Sequence, residues 1–228
     1  MAEQENSKDL ISVLWSGADI LRSKMDANEY KNYLLGIVFY KYLSDSFLIK
    51  VYDMICDDKP ESLKEALDVY VEELQGEDAD ELIKEMKDEC HYIIEPELTY
   101  TCFADAARNN VFNREQLQKA FNNIEQSDPI FADLFADIDL YSNRLGAGDQ
   151  KQSDTIASLI REIDKADLLN TDAEILGNAY EYLIGQFASE TGKKAGEFYT
   201  PQAVSKILTQ IAIAGQEDKR GLSVYDPC

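Results

Sequence analysis

The residue types best suited to chemistry gather near the end of the chain, in GKKAGEFYTPQAV (residues 192–204) and VYDPC (residues 224–228). Thr200 suits a helix N-cap, and Pro201 suits the first helical position, where its missing N–H removes no bond. The spacing therefore predicts a helix that opens directly after the adjacent aromatics Phe198 and Tyr199. Such a helix mouth offers unpaired N–H groups and a positive dipole end to an anion, while aromatic faces can hold a purine or a cation. The same pattern also fits a hydrophobic staple that fixes the entry angle of the chain. Spacing alone leaves both readings open.

One small molecule needs all three kinds of contact: S-adenosylmethionine, with its carboxylate, adenine and sulfonium. The terminal residues bear on that reading. LSVYD (residues 222–226) has strand character between Gly221 and Pro227. A strand that ends in an acidic residue and passes into a tight loop is how open α/β sheets present a nucleotide at their carboxyl edge. Asp226 is the candidate there. A lone strand forms no stable sheet, so the sequence is expected to be the N-terminal part of a longer protein.

Other reactive residues are sparse. Cys56, Cys90, Cys102 and Cys228 form no CxxC pair, and His91 is the single histidine, so zinc-ligand spacing is absent. The cysteines are expected to be reduced thiols.

The elements that must position the late motif are helical. Leu10, Leu14 and Leu21 fall near helical spacing in residues 7–25, with Ser7 as a possible N-cap. Residues 29–56 run with almost no breaker except Gly36 and are apolar round most of their circumference, which predicts a buried central rod. Its tyrosines, from Tyr30 to Tyr52, and Trp15 are expected to pack rather than recognise. Leu63, Leu67, Val71 and Leu74 make one stripe, and a charged amphipathic helix follows before Pro96. Shorter helices are expected at 114–124 and 128–138, then a polar linker over residues 144–154. Beyond it, Ile156, Leu159, Ile160 and Ile163 share a face, and a further helix is expected from Asp172 to near Gly192.

The formal net charge is −22. Residues 57–97 hold sixteen Asp or Glu against four Lys and account for −12 of it. Such a surface repels phosphate backbones and favours basic partners, although a solvated helical face reads the same way. No window approaches the apolar length of a membrane span, and MAEQENSKD lacks the layout of a signal peptide. The expectation is a cytoplasmic protein with no membrane partner.

EILGNAYEYLIGQFASETGKKAGEFYTP followed by VYDPC resembles the modification (methyltransferase) subunit of type I restriction-modification systems, usually called HsdM, an adenine-N6 DNA methyltransferase. LWSGADILRSKMDANEYKNYLLGIVFYKYLSD resembles the helical N-terminal domain of the same subunit. The two matches stand in the expected order and frame most of the chain. The acidic middle carries little of the resemblance, and Ala195 stands where relatives often have Gly.

The resemblance implies a mainly α fold: a helical N-terminal domain over residues 1–150, serving assembly near DNA, then the first elements of a truncated Rossmann-like α/β methyltransferase domain over 151–228. It implies S-adenosyl-L-methionine as cofactor, contacted by Glu197, Phe198, Tyr199, Thr200, Pro201 and Gln202. Asp226 would open a glycine-rich motif whose glycines do not follow here. Lys193 and Lys194 are candidates for phosphate contact. The implied partners are a specificity subunit, a second modification subunit, a restriction subunit and, through the complex, double-stranded DNA. The Asn-Pro-Pro-aromatic motif that holds the flipped adenine is absent, since no Asn precedes a Pro in these residues. The chain alone is thus expected to be catalytically inert, with no catalytic residue of its own and weak or absent cofactor binding. Two rival readings are a non-enzymatic acidic helical interaction module, and a different adenine methyltransferase with a helical extension.

Overall fold

The computed structural model describes residues 2–169, with Gly177, Gly185, Thr200, residues 202–216, residues 219–221, Ser223 and Tyr225. Its helices are α1 (Ala2–Arg22), α2 (Ala27–Ile55), α3 (Leu63–Glu73), α4 (Ala79–Cys90), α5 (Tyr100–Arg108), α6 (Arg114–Ser127), α7 (Asp149–Ile163) and α8 (Gln202–Ile213). Short 3-10 turns lie at Pro96–Leu98 and Pro129–Phe131. No strand occurs among the described residues. Of the strand expected at 222–226, only Ser223 and Tyr225 are described, and neither is extended into a ladder.

α2 is the axis of the body. At about 1.5 Å per residue its 29 residues span roughly 44 Å. It packs against α1, α3, α4, α5 and α7. That many neighbours requires an apolar circumference, and Tyr30, Leu34, Ile37, Tyr40, Phe47, Leu48 and Val51 are all sealed. Two glycines let the neighbours close in. A Cβ on Gly17 would stand 2.8 Å from a Leu34 methyl and 3.1 Å from one of Leu159, so α1, α2 and α7 meet there. A Cβ on Gly36 would fall 2.0 Å from Ile138 Cδ1, so the loop after α6 rests directly on the backbone of α2.

The buried tyrosines do more than fill space. Tyr33, Tyr40, Tyr70, Tyr92 and Tyr100 donate their hydroxyls to the carbonyls of Asp139, Leu98, Ile94, Leu43 and Ile160, at 2.7, 2.7, 3.1, 3.0 and 2.9 Å. Each ring is an apolar body whose polar tip satisfies a backbone group of another element. Around Tyr40 gather Phe103, Phe121 and Phe135, and the last two stack at 4.0 Å between centroids.

The helix starts follow local chemistry. Ser62 accepts a bond from the Glu65 amide, and the Glu65 carboxylate accepts one from the Glu61 amide, which fixes the start of α3. Thr99 and Asn113 cap α5 and α6. α1, by contrast, begins ahead of Ser7, which lies inside the helix.

The helix expected at 128–138 is a correction. Asp128 is extended, Pro129 opens only a 3-10 turn, and Asp133 is left-handed at φ 59°. The Phe135 amide donates to Glu125 at 2.7 Å instead of to a preceding carbonyl. Residues 132–148 run as a strap across α2, held by Tyr33, by Lys24 and Thr155 on the Leu145 carbonyl, by Gln152 on the carbonyls of Tyr141 and Ser142, and by an Arg144–Glu29 ion pair.

The polar residues 144–154 do not separate α7 from the helical body. Ile156, Leu159, Ile160 and Ile163 are fully buried, and α7 packs on α1 and α5. Arg114, itself buried, donates to the carbonyl and carboxylate of Asp149 at 2.9 and 2.7 Å and lies 4.6 Å over the Tyr141 ring. The core continues to Leu168.

Candidate functional site

Thr200 and α8 are the parts of the late motif that the described residues include. Thr200 is exposed and stands two residues ahead of the start of α8. That order agrees with a helix opening just past the aromatic pair. Glu197, Phe198, Tyr199, Pro201, Asp226, Lys193 and Lys194 lie outside the described residues, as does the side chain of Gln202. Of the helix expected from Asp172 to near Gly192, Gly177 and Gly185 are described and both are helical.

α8 is amphipathic and its apolar side is uncovered. Val204, Ile207, Leu208 and Ile211 recur at helical spacing and are 45 to 68% exposed. No residue of α8 carries a negative charge. A helix with an apolar stripe can form one wall of an α/β nucleotide site, in which the stripe rests on a sheet and the N–H groups face an anion.

Within the helical body the strongest chemical feature is a pair that sequence reading passed over. Lys41 Nζ and Asp45 Oδ2 lie 2.5 Å apart on α2, with side chains 4% and 2% exposed. Lys41 also sits 5.0 Å from the centre of the Tyr100 ring. Burial pushes the Asp45 carboxyl up to about 6 against the pull of Lys41, and the negative charges of Asp164 and Asp167 add to the rise. Its other oxygen, Oδ1, has no hydrogen-bond partner. The signal was a Lys and an Asp four residues apart in the most apolar stretch of α2, away from its charged ends.

A second feature is an apolar groove of about 320 Å³ between α1, α2 and the strap, where Leu14, Leu35, Phe39, Leu134 and Ile138 line the walls and Asn32 and Asp137 supply the polar groups. Among the described residues no group of three or more His, Cys, Asp or Glu could hold a metal. Cys56, Cys90 and Cys102 are free thiols. No helix of the described residues is long and apolar enough to cross a membrane.

A helical body leading into an amphipathic helix behind a GEFYTP motif defines the class: a methylase subunit with a helical N-terminal domain. The HsdM N-terminal domain family matches residues 10–163, and the N-6 DNA methylase family matches residues 171–228. The chain belongs to the family of type I restriction enzyme methylase subunits. It is 29% identical to the type I restriction enzyme MpnII methylase subunit of Mycoplasma pneumoniae, over 98% of this chain and 42% of that protein. It is 31% identical to the MjaVIII methylase subunit of Methanocaldococcus jannaschii, over 97% of this chain and 34% of that protein. A crystal structure of the type I restriction-modification system methyltransferase subunit from Streptococcus thermophilus superposes with a TM-score of 0.86 at 48% identity, covering 95% of this chain and 46% of that one. The chain thus spans less than half the length of these relatives.

Proposed function

We propose that this chain is the N-terminal part of a modification subunit that, when whole, transfers a methyl group from S-adenosylmethionine to N6 of adenine in DNA, in complex with a specificity subunit. The observation that supports it best is the N-6 DNA methylase match over residues 171–228, the stretch that contains both GEFYTP and the DPC ending. We place the division between the two domains just after Leu168 rather than at the expected 150/151, a position supported by the burial of α7 in the helical body and by the methylase match beginning at residue 171.

The roles of the residues follow. Bound S-adenosylmethionine supplies the activated methyl group. Phe198 and Tyr199 would hold its adenine or sulfonium by their faces, and Asp226 would open the glycine-rich segment at its methionine end. Thr200 and Pro201 suit a helix start whose first N–H groups would bind the carboxylate. Glu197 and Gln202 would also contact the cofactor, and Lys193 and Lys194 would meet DNA phosphate. The helical body serves assembly with a specificity subunit, a second modification subunit and a restriction subunit. Its acidic α3–α4 face is attracted to basic partner surfaces and kept off free phosphate.

Base-modifying enzymes extrude the target base into a pocket that reads its Watson–Crick edge. These 228 residues supply no Asn-Pro motif for that pocket. They are therefore inactive by themselves. Methyl transfer from labelled S-adenosylmethionine tests this with the purified chain, its specificity subunit and cognate DNA. The expected result is no incorporation, and calorimetric titration is expected to show no micromolar cofactor binding. Incorporation above background contradicts the reading. A version carrying the remaining methylase sequence is expected to restore activity, and loss of that activity on Phe198→Ala together with Tyr199→Ala assigns the aromatic pair to the cofactor.

A further inference from the structure

We propose that Lys41 and Asp45 form a proton-responsive joint, at which the charge on one buried carboxylate sets how firmly the last turn of α7 and residues 164–168 are held against α2. The geometry stands on four observations. Both side chains are sealed in the middle of the axial helix, so water screens their charges little. Asp45 spends one oxygen on Lys41 and leaves Oδ1 without a partner, a cost that a buried acceptor rarely bears. The layers over the pair are bolted together by neighbouring bonds: Ser44 Oγ accepts from the Tyr100 amide at 2.7 Å, and the Tyr100 hydroxyl donates to the Ile160 carbonyl at 2.9 Å. The segment matched to the methylase family begins just beyond residues 164–169, at residue 171.

The charged and titratable groups around Asp45 come from each element packed on it. Lys41 stands on its own helix. From α5 come Tyr100, whose hydroxyl is held neutral by burial, and Arg108, which pairs with Asp105 and Asp164. From the end of α7 come Asp164 and Asp167, both of which disfavour a second negative charge at Asp45. Protonation adds a hydrogen from water to Asp45, turns the carboxylate into a neutral acid and gives it a donor. Lys41 keeps its place over Tyr100. The repulsion toward Asp164 and Asp167 then disappears.

The sign follows from the direction in which the carboxyl moves. The folded carboxyl binds its proton more tightly than the unfolded one, with a midpoint near 6 against an ordinary 3.8. The stability gained is complete below the ordinary value and is lost as pH rises through about 6. Opening the end of α7 returns Asp45 to water, so that opening is favoured at high pH and suppressed at low pH. Between the two midpoints the opening equilibrium changes about tenfold for each step of one in pH, and the whole effect is on the order of a hundredfold.

The test is amide hydrogen exchange at residues 160–168 of the 228-residue chain between pH 4 and 8, corrected for intrinsic exchange, together with a carbon-13 titration of the Asp45 carboxyl. The expected result is that protection falls at least tenfold across this range and levels off above about 6, where the carboxyl signal has its midpoint. Asp45→Asn is expected to flatten the profile. The pair Asp164→Asn and Asp167→Asn, both outside the core, is expected to move the midpoint to lower pH. Protection that does not change with pH, or a carboxyl midpoint near 4, overturns the proposal. If Asp45→Asn does not fold, an unmoved midpoint in the Asp164→Asn, Asp167→Asn variant overturns it equally.

Discussion

Along α2 the side chains of Leu34, Ile37, Phe47 and Leu48 are completely sealed, whereas along α8 those of Val204, Ile207, Leu208 and Ile211 are 45 to 68% exposed. Both helices are rich in apolar residues, and the difference lies in what surrounds them. α2 has five helices around it, tyrosine hydroxyls reaching across to carbonyls, and a strap laid over Gly36. α8 gains little of the roughly 25 cal/mol per Å² that covering apolar surface yields. A twelve-residue helix without that cover is marginal in water. The helical body thus covers its own apolar surface, while the apolar stripe of α8 is uncovered among the described residues.

The contrast predicts where substitutions hurt. Phe121→Ala removes a sealed ring stacked on Phe135, and is expected to destabilise the chain by about 3–5 kcal/mol in urea denaturation. Leu208→Ala, also a large-to-small change but on α8, is expected to move the same transition by less than about 0.5 kcal/mol. Equal effects would erase the distinction between the two regions.

Lys41→Met leaves Asp45 buried without its cation and is expected to lose about 3–5 kcal/mol, close to the effect at Phe121. The double change Lys41→Met, Asp45→Leu is expected to recover most of that loss, because it removes both charges from the core. A double variant as unstable as the single one would show that the pair contributes packing rather than charge balance.

Gly36→Ala sharpens the role of the strap. Alanine is the better helix former by about 1 kcal/mol, yet its Cβ would meet Ile138 at 2.0 Å. The clash is expected to outweigh propensity and cost a net of about 1–3 kcal/mol. A smaller cost than at Gly36 is expected for Tyr33→Phe, which loses one hydroxyl bond to the Asp139 carbonyl and about 0.5–1.5 kcal/mol, with faster proteolysis within residues 132–148 as its second sign.

Local signals made much of this legible in the sequence. The unbroken apolar run of α2, the Ser62–Glu65 box before α3 and the Leu82, Met86, Cys90 face of α4 are written at short range. The buried tyrosines likewise follow from an aromatic helix with no polar face. What stayed hidden depends on contacts between distant residues. α5 has nine residues and little to mark it beyond its Thr99 cap. Residues 128–138 have helical periodicity, but Glu125, ten residues away from Phe135, takes the amide that a helix would need. The polar stretch at 144–154 reads as a linker by composition. Its Gln152 and the neighbouring Thr155 are polar because they satisfy strap carbonyls, and its Asp149 is held by Arg114 from thirty-five residues earlier. At the candidate site, the helix start after Thr200 was readable from residue types, whereas the cofactor reading of GEFYTP rests on resemblance, since spacing fits a hydrophobic staple equally. The Lys41–Asp45 pair was not, because only the packing of α5 and α7 turns an ordinary helical ion pair into a buried one.

The most direct measurement is native-state hydrogen exchange compared between α2 and α8 in the same sample. Amides from Tyr33 to Val51 are expected to exchange only with global unfolding, while those from Ser205 to Ile213 exchange orders of magnitude faster through local opening. Protection in α8 equal to that in α2 would contradict the contrast between a covered and an uncovered helix, because the apolar face of α8 would then have a cover within this chain.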